Sequence, residues 1–309
     1  MAEAVVLPVI DLTSSDHHAA ARSIQKACTE YGFFYLINHG VEESLLQKVL
    51  QGNKMFFSLC LEEKMKLDRK NHRGYTPLYA EKLDPRVSSR GDSKESFYIG
   101  PLEDAPSRGY MNQWPSEEIL PGWRSIIEDY YEGAMNAGRR LIKLVALALN
   151  LDENFFYDVA FNPPNGYLRL LHYPGELGSS DEEIYGASAH SDYGMITLLL
   201  TDGISGLQIC NEKFKEPQVW ENVHHIPGTL IVNIGDMMER WTNCLFRSTL
   251  HRVMPTGQER YSVAFFLDPN PDCVVECLKS CCNESAPPRF PPIRAGDYLE
   301  ERIKVTYGS

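Results

Sequence analysis

Positive charge is the first shortage in this chain. Its 30 Lys and Arg stand against 42 Asp and Glu, for a net charge of −12. A chain this acidic is poorly suited to nucleic acid or an anionic membrane, since both recruit basic patches. Long apolar runs are also missing. No stretch approaches the ~18 residues of a transmembrane helix. The first twelve residues have neither a basic start nor a long apolar core, so no signal peptide is expected. Cysteine is present eight times but never as a Cys-x-x-Cys pair. Cys273, Cys277, Cys281 and Cys282 therefore lack the spacing of common zinc sites, and no histidine lies near to complete one. In a long chain without a signal, these read as reduced thiols. Repeats and low-complexity tracts are absent as well. The expectation is a cytoplasmic protein, with the nucleus as a second location.

What is present is an ordinary globular composition, 43% hydrophobic and 23% charged over 309 residues. The first half reads as helices around short strands. Helices are expected at 15–30, 41–61 and 122–149, from apolar residues at helical spacing. Leu7–Leu12 and Phe33–Ile37 read as strands. The stretch 71–115 reads as a long irregular excursion, the kind of loop that is usually functional. From about Gly166 the pattern changes to short strands separated by Gly, Pro, Asn and Asp. They are expected at 167–173, 186–190, 195–201, 207–210, 230–234, 246–253 and 261–267. Such spacing indicates an antiparallel sandwich, barrel or jelly roll. Residues 296–307 read as a final helix. The division is 1–115 as an N-terminal region and 116–309 as the core, together one compact unit.

Chemistry concentrates in three short segments. His190-Ser191-Asp192 places two metal-ligating side chains two residues apart, hence on one face of a strand. His251 follows in Ser248-Thr249-Leu250-His251-Arg252-Val253. If the two strands lie on facing sheets, the three ligands can converge. Two His and one carboxylate leave coordination positions open, the pattern of non-haem Fe(II) oxygen chemistry rather than of closed structural zinc. Fe(II) on this set keeps a charge of about +1, which suits an anionic co-substrate. The third segment is Arg260-Tyr261-Ser262. Its Arg and Ser share a face and offer a planar fork plus a hydroxyl to a carboxylate. Taken singly, each segment also has a plain reading, as a core histidine or a surface arginine.

In this order the segments resemble the plant-type 2-oxoglutarate- and Fe(II)-dependent dioxygenases, the isopenicillin N synthase-like family. The resemblance extends through Pro8–Leu12, Gly32–Val41, Leu230–Asp236, Trp241–Asn243, Ser248–Val253 and Arg260–Pro269, and so covers nearly the whole chain. It implies an α+β fold with a β-dominated core: a double-stranded β-helix, or jelly roll, flanked by N-terminal helices and a C-terminal helix. It implies iron on His190, Asp192 and His251. The co-substrate 2-oxoglutarate would lie on Arg260 and Ser262, with Tyr173 as a further contact. Where the family usually has Asn two residues before that tyrosine, this chain has Leu171, so one polar contact to the co-substrate is missing.

The implied activity is hydroxylation of a small-molecule metabolite, such as a plant hormone, flavonoid or alkaloid. Desaturation and demethylation are variants. O2 is consumed and 2-oxoglutarate becomes succinate and CO2, with ascorbate in support. The alternatives are a same-fold Fe(II) oxidase that does not use 2-oxoglutarate, and a non-catalytic small-molecule-binding protein. For the substrate pocket the candidates are Phe97, Tyr98 and Phe266, with Tyr75 and the C-terminal helix as a lid. Arg73, Arg86, Arg90 and Arg169 could meet an acidic substrate, with solvated surface charge the favoured reading for each. A monomer is expected.

Overall fold

A computed structural model describes residues 4–84, 91–103, 111–161, 165–175 and 185–307. The chain starts with β1 (Val9–Asp11), α1 (His17–Glu30), β2 (Phe33–Ile37), α2 (Glu43–Phe57) and α3 (Leu61–Met65). Next come β3 (Gly74–Thr76), β4 (Glu95–Ile99), α4 (Trp123–Ala148) and α5 (Phe155–Ala160). The strand-rich part runs β5 (Asn165–Tyr173), β6 (Ala187–His190), β7 (Ile196–Thr201), β8 (Leu207–Cys210), β9 (Glu221–Asn222) and β10 (Leu230–Ile234). It ends with α6 (Asp236–Trp241), β11 (Leu250–Val253), β12 (Arg260–Asp268), β13 (Val274–Val275), β14 (Ile293–Arg294) and α7 (Ala295–Tyr307).

Eight strands form one sheet in the order β1-β2-β10-β7-β12-β5-β4-β3, and four form a second in the order β6-β11-β8-β9. This is the jelly-roll core, with helices outside it. Two apolar clusters flank the large sheet. One lies between its outer face and α1, α2 and α4, and includes Phe34, Leu36, Trp123, Leu168, Val263 and Phe265. The other lies between the two sheets, with Phe33, Tyr35, Leu171, Ala187, Ile209 and Val253. Period-two alternation assigns every strand residue to one side or the other. In β12, Tyr261, Val263, Phe265 and Leu267 join the helix-side cluster. Arg260, Ser262, Ala264, Phe266 and Asp268 line the interior cavity.

The helices follow from their apolar stripes. In α4, Tyr130, Ala134, Ala137, Leu141 and Leu144 are buried in one line over 26 residues. Asp16 caps α1, its carboxylate accepting from the Ala19 N–H at 2.8 Å. Among the described residues, no helix is long and apolar enough to cross a membrane.

Three expectations change. The stretch 71–115 is not wholly irregular, since β3 and β4 extend the large sheet past β5. Their pattern hid them because Thr76, Glu95 and Ser96 are buried polar residues. The expected strand 246–253 begins only at Leu250. Ser248 is held away from any ladder, its hydroxyl donating to Asp236 at 2.6 Å. Arg73 and Arg169 are not solvated surface groups; they are 4% and 6% exposed. Arg86 and Arg90 lie outside the described residues.

Candidate metal centre

His190 and His251 lie on neighbouring strands of the four-stranded sheet, not on facing sheets, and are direct cross-strand partners. Their ring centroids are 4.2 Å apart. Strand β6 ends at His190, and the chain turns there. Asp192 therefore reaches the same point from the loop beyond the strand. Its Oδ1 lies 3.9 Å from His190 Nε2 and 3.6 Å from His251 Nε2. All three ligand atoms fall within 4.8 Å of one another.

Each side chain is oriented by a second bond. His190 Nδ1–H donates to the Ser188 carbonyl at 2.7 Å, and His251 Nδ1–H donates to the Thr249 carbonyl at 3.2 Å. Both bonds set the tautomer and leave the Nε2 lone pairs pointing inward. Asp192 Oδ2 accepts from Thr197 Oγ1 at 2.5 Å and from Asn233 Nδ2 at 2.7 Å, which turns Oδ1 to the histidines. Burial, and next the adjacent His251, push His190 down to about 4, so its imidazole is neutral near pH 7. Burial opposes the charge of Asp192. His251, His190, Asn233 and Thr197 together outweigh it and hold the carboxyl below its usual range. Two inward-turned imidazole nitrogens and one free carboxylate oxygen fit a divalent ion with open positions. The donor set suits Fe(II). Among the described residues no other group of His, Cys, Asp or Glu meets the same geometry.

The three groups open onto a cavity of ≈150 Å³ between the sheets. At one side stands Arg260, 3% exposed, its Nη1 donating to Ser262 Oγ at 3.3 Å and its guanidinium 4.9 Å from the Tyr173 ring. Leu171 lines the same side. From helix α2, Asn53 Nδ2 donates to the Leu171 carbonyl at 3.3 Å and the Ser262 carbonyl at 3.0 Å, locking this strand pair from behind. The lining also includes Tyr98, Tyr167, Tyr193, Phe266, Leu299 and Ile303.

Of the four aromatic pocket candidates, Tyr98 and Phe266 line the cavity. Phe97 and Tyr75 do not. They are paired across β3 and β4, so they share a face, and that face is the helix side. Phe97 packs on Phe56 and Trp123, and the Tyr75 hydroxyl donates to Glu95. Tyr75 is thus no part of a lid. Helix α7 does close one wall, through Leu299, Ile303 and Thr306.

Sequence reasoning missed the supports. Lys94 pairs with Glu81 at 2.8 Å and with Asp92 at 2.5 Å. Asp92 accepts from the Ser188 N–H and hydroxyl at 3.1 and 2.5 Å, and Ser188 orients His190. Glu81 also pairs with Arg169 at 2.5 Å. Asp268 was missed too. Its carboxyl lines the cavity, and burial, aided by the nearby charge of Asp192, pushes it up to about 7. Ser188, Arg169 and Asp268 are polar positions in otherwise apolar strands, whereas Glu81, Asp92 and Lys94 lie outside any strand and carry no such signal.

Residues 164–269 match the family model of the 2OG-Fe(II) oxygenase superfamily, and residues 7–117 match the non-haem dioxygenase in morphine synthesis N-terminal model. The chain is 41% identical to azadirone synthase of Melia azedarach over 96% of its own length and 92% of that protein. It is 34% identical to a 2-oxoglutarate-Fe(II) type oxidoreductase of Emericella nidulans, over 97% and 90%. Among solved structures it is similar to a full-length Neurospora crassa protein in complex with alpha-KG and thymine. There the TM-score is 0.85 at 28% identity, with 97% of each chain covered.

Proposed function

We propose that this chain, which belongs to the plant-type 2-oxoglutarate- and Fe(II)-dependent dioxygenases of the 2OG-Fe(II) oxygenase superfamily, holds its iron on His190, Asp192 and His251. It is an oxidoreductase that uses Fe(II) and 2-oxoglutarate and acts on a small molecule. The observation that carries the site assignment is the convergence of three inward-turned ligand atoms beside a buried Arg260 and Ser262.

Iron with 2-oxoglutarate and O2 supplies the oxidising chemistry, converting 2-oxoglutarate to succinate and CO2 as a C–H bond of the substrate is oxidised. The protein's residues do the rest. Arg260 and Ser262 bind the distal carboxylate of 2-oxoglutarate, and Tyr173 packs beside them. Leu171 adds no polar contact, so the co-substrate depends more heavily on Arg260. Ser188 and Thr249 hold the two imidazoles in register. Thr197 and Asn233 keep the second oxygen of Asp192 away from the metal position. Phe266, Leu299 and Ile303 exclude water from the substrate side and make an apolar wall for the target carbon.

The substrate is an apolar metabolite, and hydroxylation is the reaction, with desaturation or demethylation as outcomes set by the target carbon. Relatives from Melia and Citrus, at 41% identity, support a role in plant specialised metabolism. The enzyme acts as a monomer in the cytoplasm, where its eight free thiols stay reduced. The test is a metabolite screen with Fe(II), ascorbate and 2-oxoglutarate, reading succinate and substrate mass together. A gain of one oxygen with matching succinate is expected. Succinate formation unchanged in His251→Ala would sink the ligand assignment.

A further inference from the structure

Cys277, Cys281 and Cys282 lie in the excursion between β13 and β14, away from the metal centre's strands. The chain folds there into a tight 3-10 turn over Lys279–Cys281, and the Cys281 N–H donates back to the Leu278 carbonyl at 2.8 Å. The turn returns Cys282 to Cys277. Both thiols are half-buried, and both donate to that same Leu278 carbonyl, each at 3.5 Å. They also bond each other. Burial, and next that contact with Cys282, push the Cys277 thiol up to about 11. Cys281 has a different neighbour, with its sulfur 3.8 Å from Ser280 Oγ.

A closed metal site needs more ligands than this pair. Among the described residues no third His, Cys, Asp or Glu joins the two sulfurs at coordinating distance. A disulfide needs only two, about 2 Å apart, on Cβ atoms about 4 Å apart. Sulfurs already in hydrogen-bond contact have little distance left to close. The ends of the turn are fixed to the protein. Leu278 is buried and its N–H donates to the Trp241 carbonyl at 2.8 Å, while Asn243 Nδ2 donates to the Cys281 carbonyl at 3.3 Å. Lys279 and Ser280, between them, are exposed, so the turn can adjust without disturbing the core.

We propose that Cys277 and Cys282 are an oxidative modification site, a dithiol that a hydroperoxide converts to a disulfide and a dithiol reductant restores. Cys277 is held protonated, so Cys282 makes the first attack, as its thiolate. It takes one peroxide oxygen, the O–O bond breaks, and an alcohol (or water, from hydrogen peroxide) leaves with the proton Cys282 gave up. The resulting sulfenic acid is attacked by the Cys277 sulfur. The S–S bond forms, and the sulfenic hydroxyl departs as water with the Cys277 proton. Two thiols and one hydroperoxide thus give one disulfide, one alcohol and one water. In a reducing compartment such a bond is transient, and the thiols are the resting state. The excursion that it staples leads through β14 directly into α7, one wall of the cavity.

The experiment uses the folded full-length chain, freed of iron by a chelator so that the metal centre does not consume the oxidant. It is treated with hydrogen peroxide, its remaining thiols are alkylated, and it is digested with trypsin for mass spectrometry. Trypsin cuts after Lys279, so a Cys277–Cys282 bond appears as two joined peptides, two hydrogens lighter than their sum. Wild type is expected to yield the joined pair, and dithiothreitol to return both cysteines to alkylation. Cys277→Ser and Cys282→Ser are each expected to abolish it, while Cys273→Ser and Cys281→Ser keep it. Dimedone, which traps sulfenic acid, is expected to label Cys282 in Cys277→Ser and to leave Cys277 unlabelled in Cys282→Ser. Wild type in which both cysteines stay alkylatable after peroxide, or joined peptides that survive in Cys277→Ser or Cys282→Ser, would overturn the proposal. Dimedone on Cys277 in Cys282→Ser would overturn the assigned order of attack.

Discussion

At the scale of single residues, the site is a matter of which lone pair faces which way. Thr197 and Asn233 occupy one oxygen of Asp192 so that the other is free. Replacing either by an apolar residue (Thr197→Val, Asn233→Leu) should weaken metal binding by roughly 10–100-fold with the ligands themselves intact. Titration of the apoprotein with Mn(II) under inert atmosphere reads this directly. Arg260 is a fork, and lysine is a point charge. Arg260→Lys should raise the 2-oxoglutarate KM by about tenfold or more while kcat at saturation changes little. Leu171 makes this chain more sensitive to that change, because no side chain on its strand position shares the load.

Elements matter through what they press together. Helix α6 starts against the loop that carries Asp192. A methyl group at Gly235 would lie 2.3 Å from the Gly194 carbonyl oxygen and 3.0 Å from that of Asp192. Both are backbone atoms and cannot swing away. Gly235→Ala should therefore cost about 1–3 kcal/mol of stability and shift the Asp192 loop, seen as a lower Tm and weaker metal binding together. The Lys94–Glu81–Arg169 pairs tie the segments before β4 to β5, with all three side chains under a tenth exposed. Burial opposes the charge of Glu81, yet Arg169 and then Lys94 outweigh it and hold its carboxyl well below the usual range. A depressed carboxylate contributes stability that is fully present above its unfolded pKa of about 4.3 and is lost as pH falls below that value. Glu81→Gln should cost about 1–3 kcal/mol near pH 7, since it removes the charge shared by two buried cations while Lys94 keeps Asp92 and Arg169 keeps Ser96. The gap between variant and wild type should narrow as the pH drops below about 4. Urea unfolding at both pH values checks the sign.

For the whole molecule, α7 matters as one wall of the cavity. Tyr298 donates to Asp236 at 2.7 Å, and Thr306 bonds the Tyr193 hydroxyl at 2.6 Å. These tie the helix to the loops on either side of the metal centre. Removal of 295–309 takes away Leu299, Ile303 and Thr306 from the cavity wall but none of the proposed iron or 2-oxoglutarate residues. Succinate formation without substrate should persist. Substrate KM should rise by about tenfold or more, as an apolar wall is replaced by water.

That His190, Asp192 and His251 converge, and that Arg260 and Ser262 share a face, could be read from short local patterns, although Asp192 arrives from the loop after β6 and not along the strand. The helix stripes and most strand limits were legible for the same reason: periodicity is a local property. Strand partnership and facing are not local. Whether Tyr98 or Phe97 enters the cavity depends on which face of β4 the helices cover. That is decided by α2 and α4, which are distant in sequence. That His190 and His251 are neighbours in one sheet depends on how β6 and β11 pair across about 60 residues of chain. The buried chain from Lys94 through Asp92 and Ser188 to His190 is invisible in composition, because buried and solvated charges are spelled alike. Asp268 is the sharpest case. In the sequence it ends a strand before a proline. Only the packing of Gly194 and α7 around it turns it into a buried carboxyl beside the metal centre.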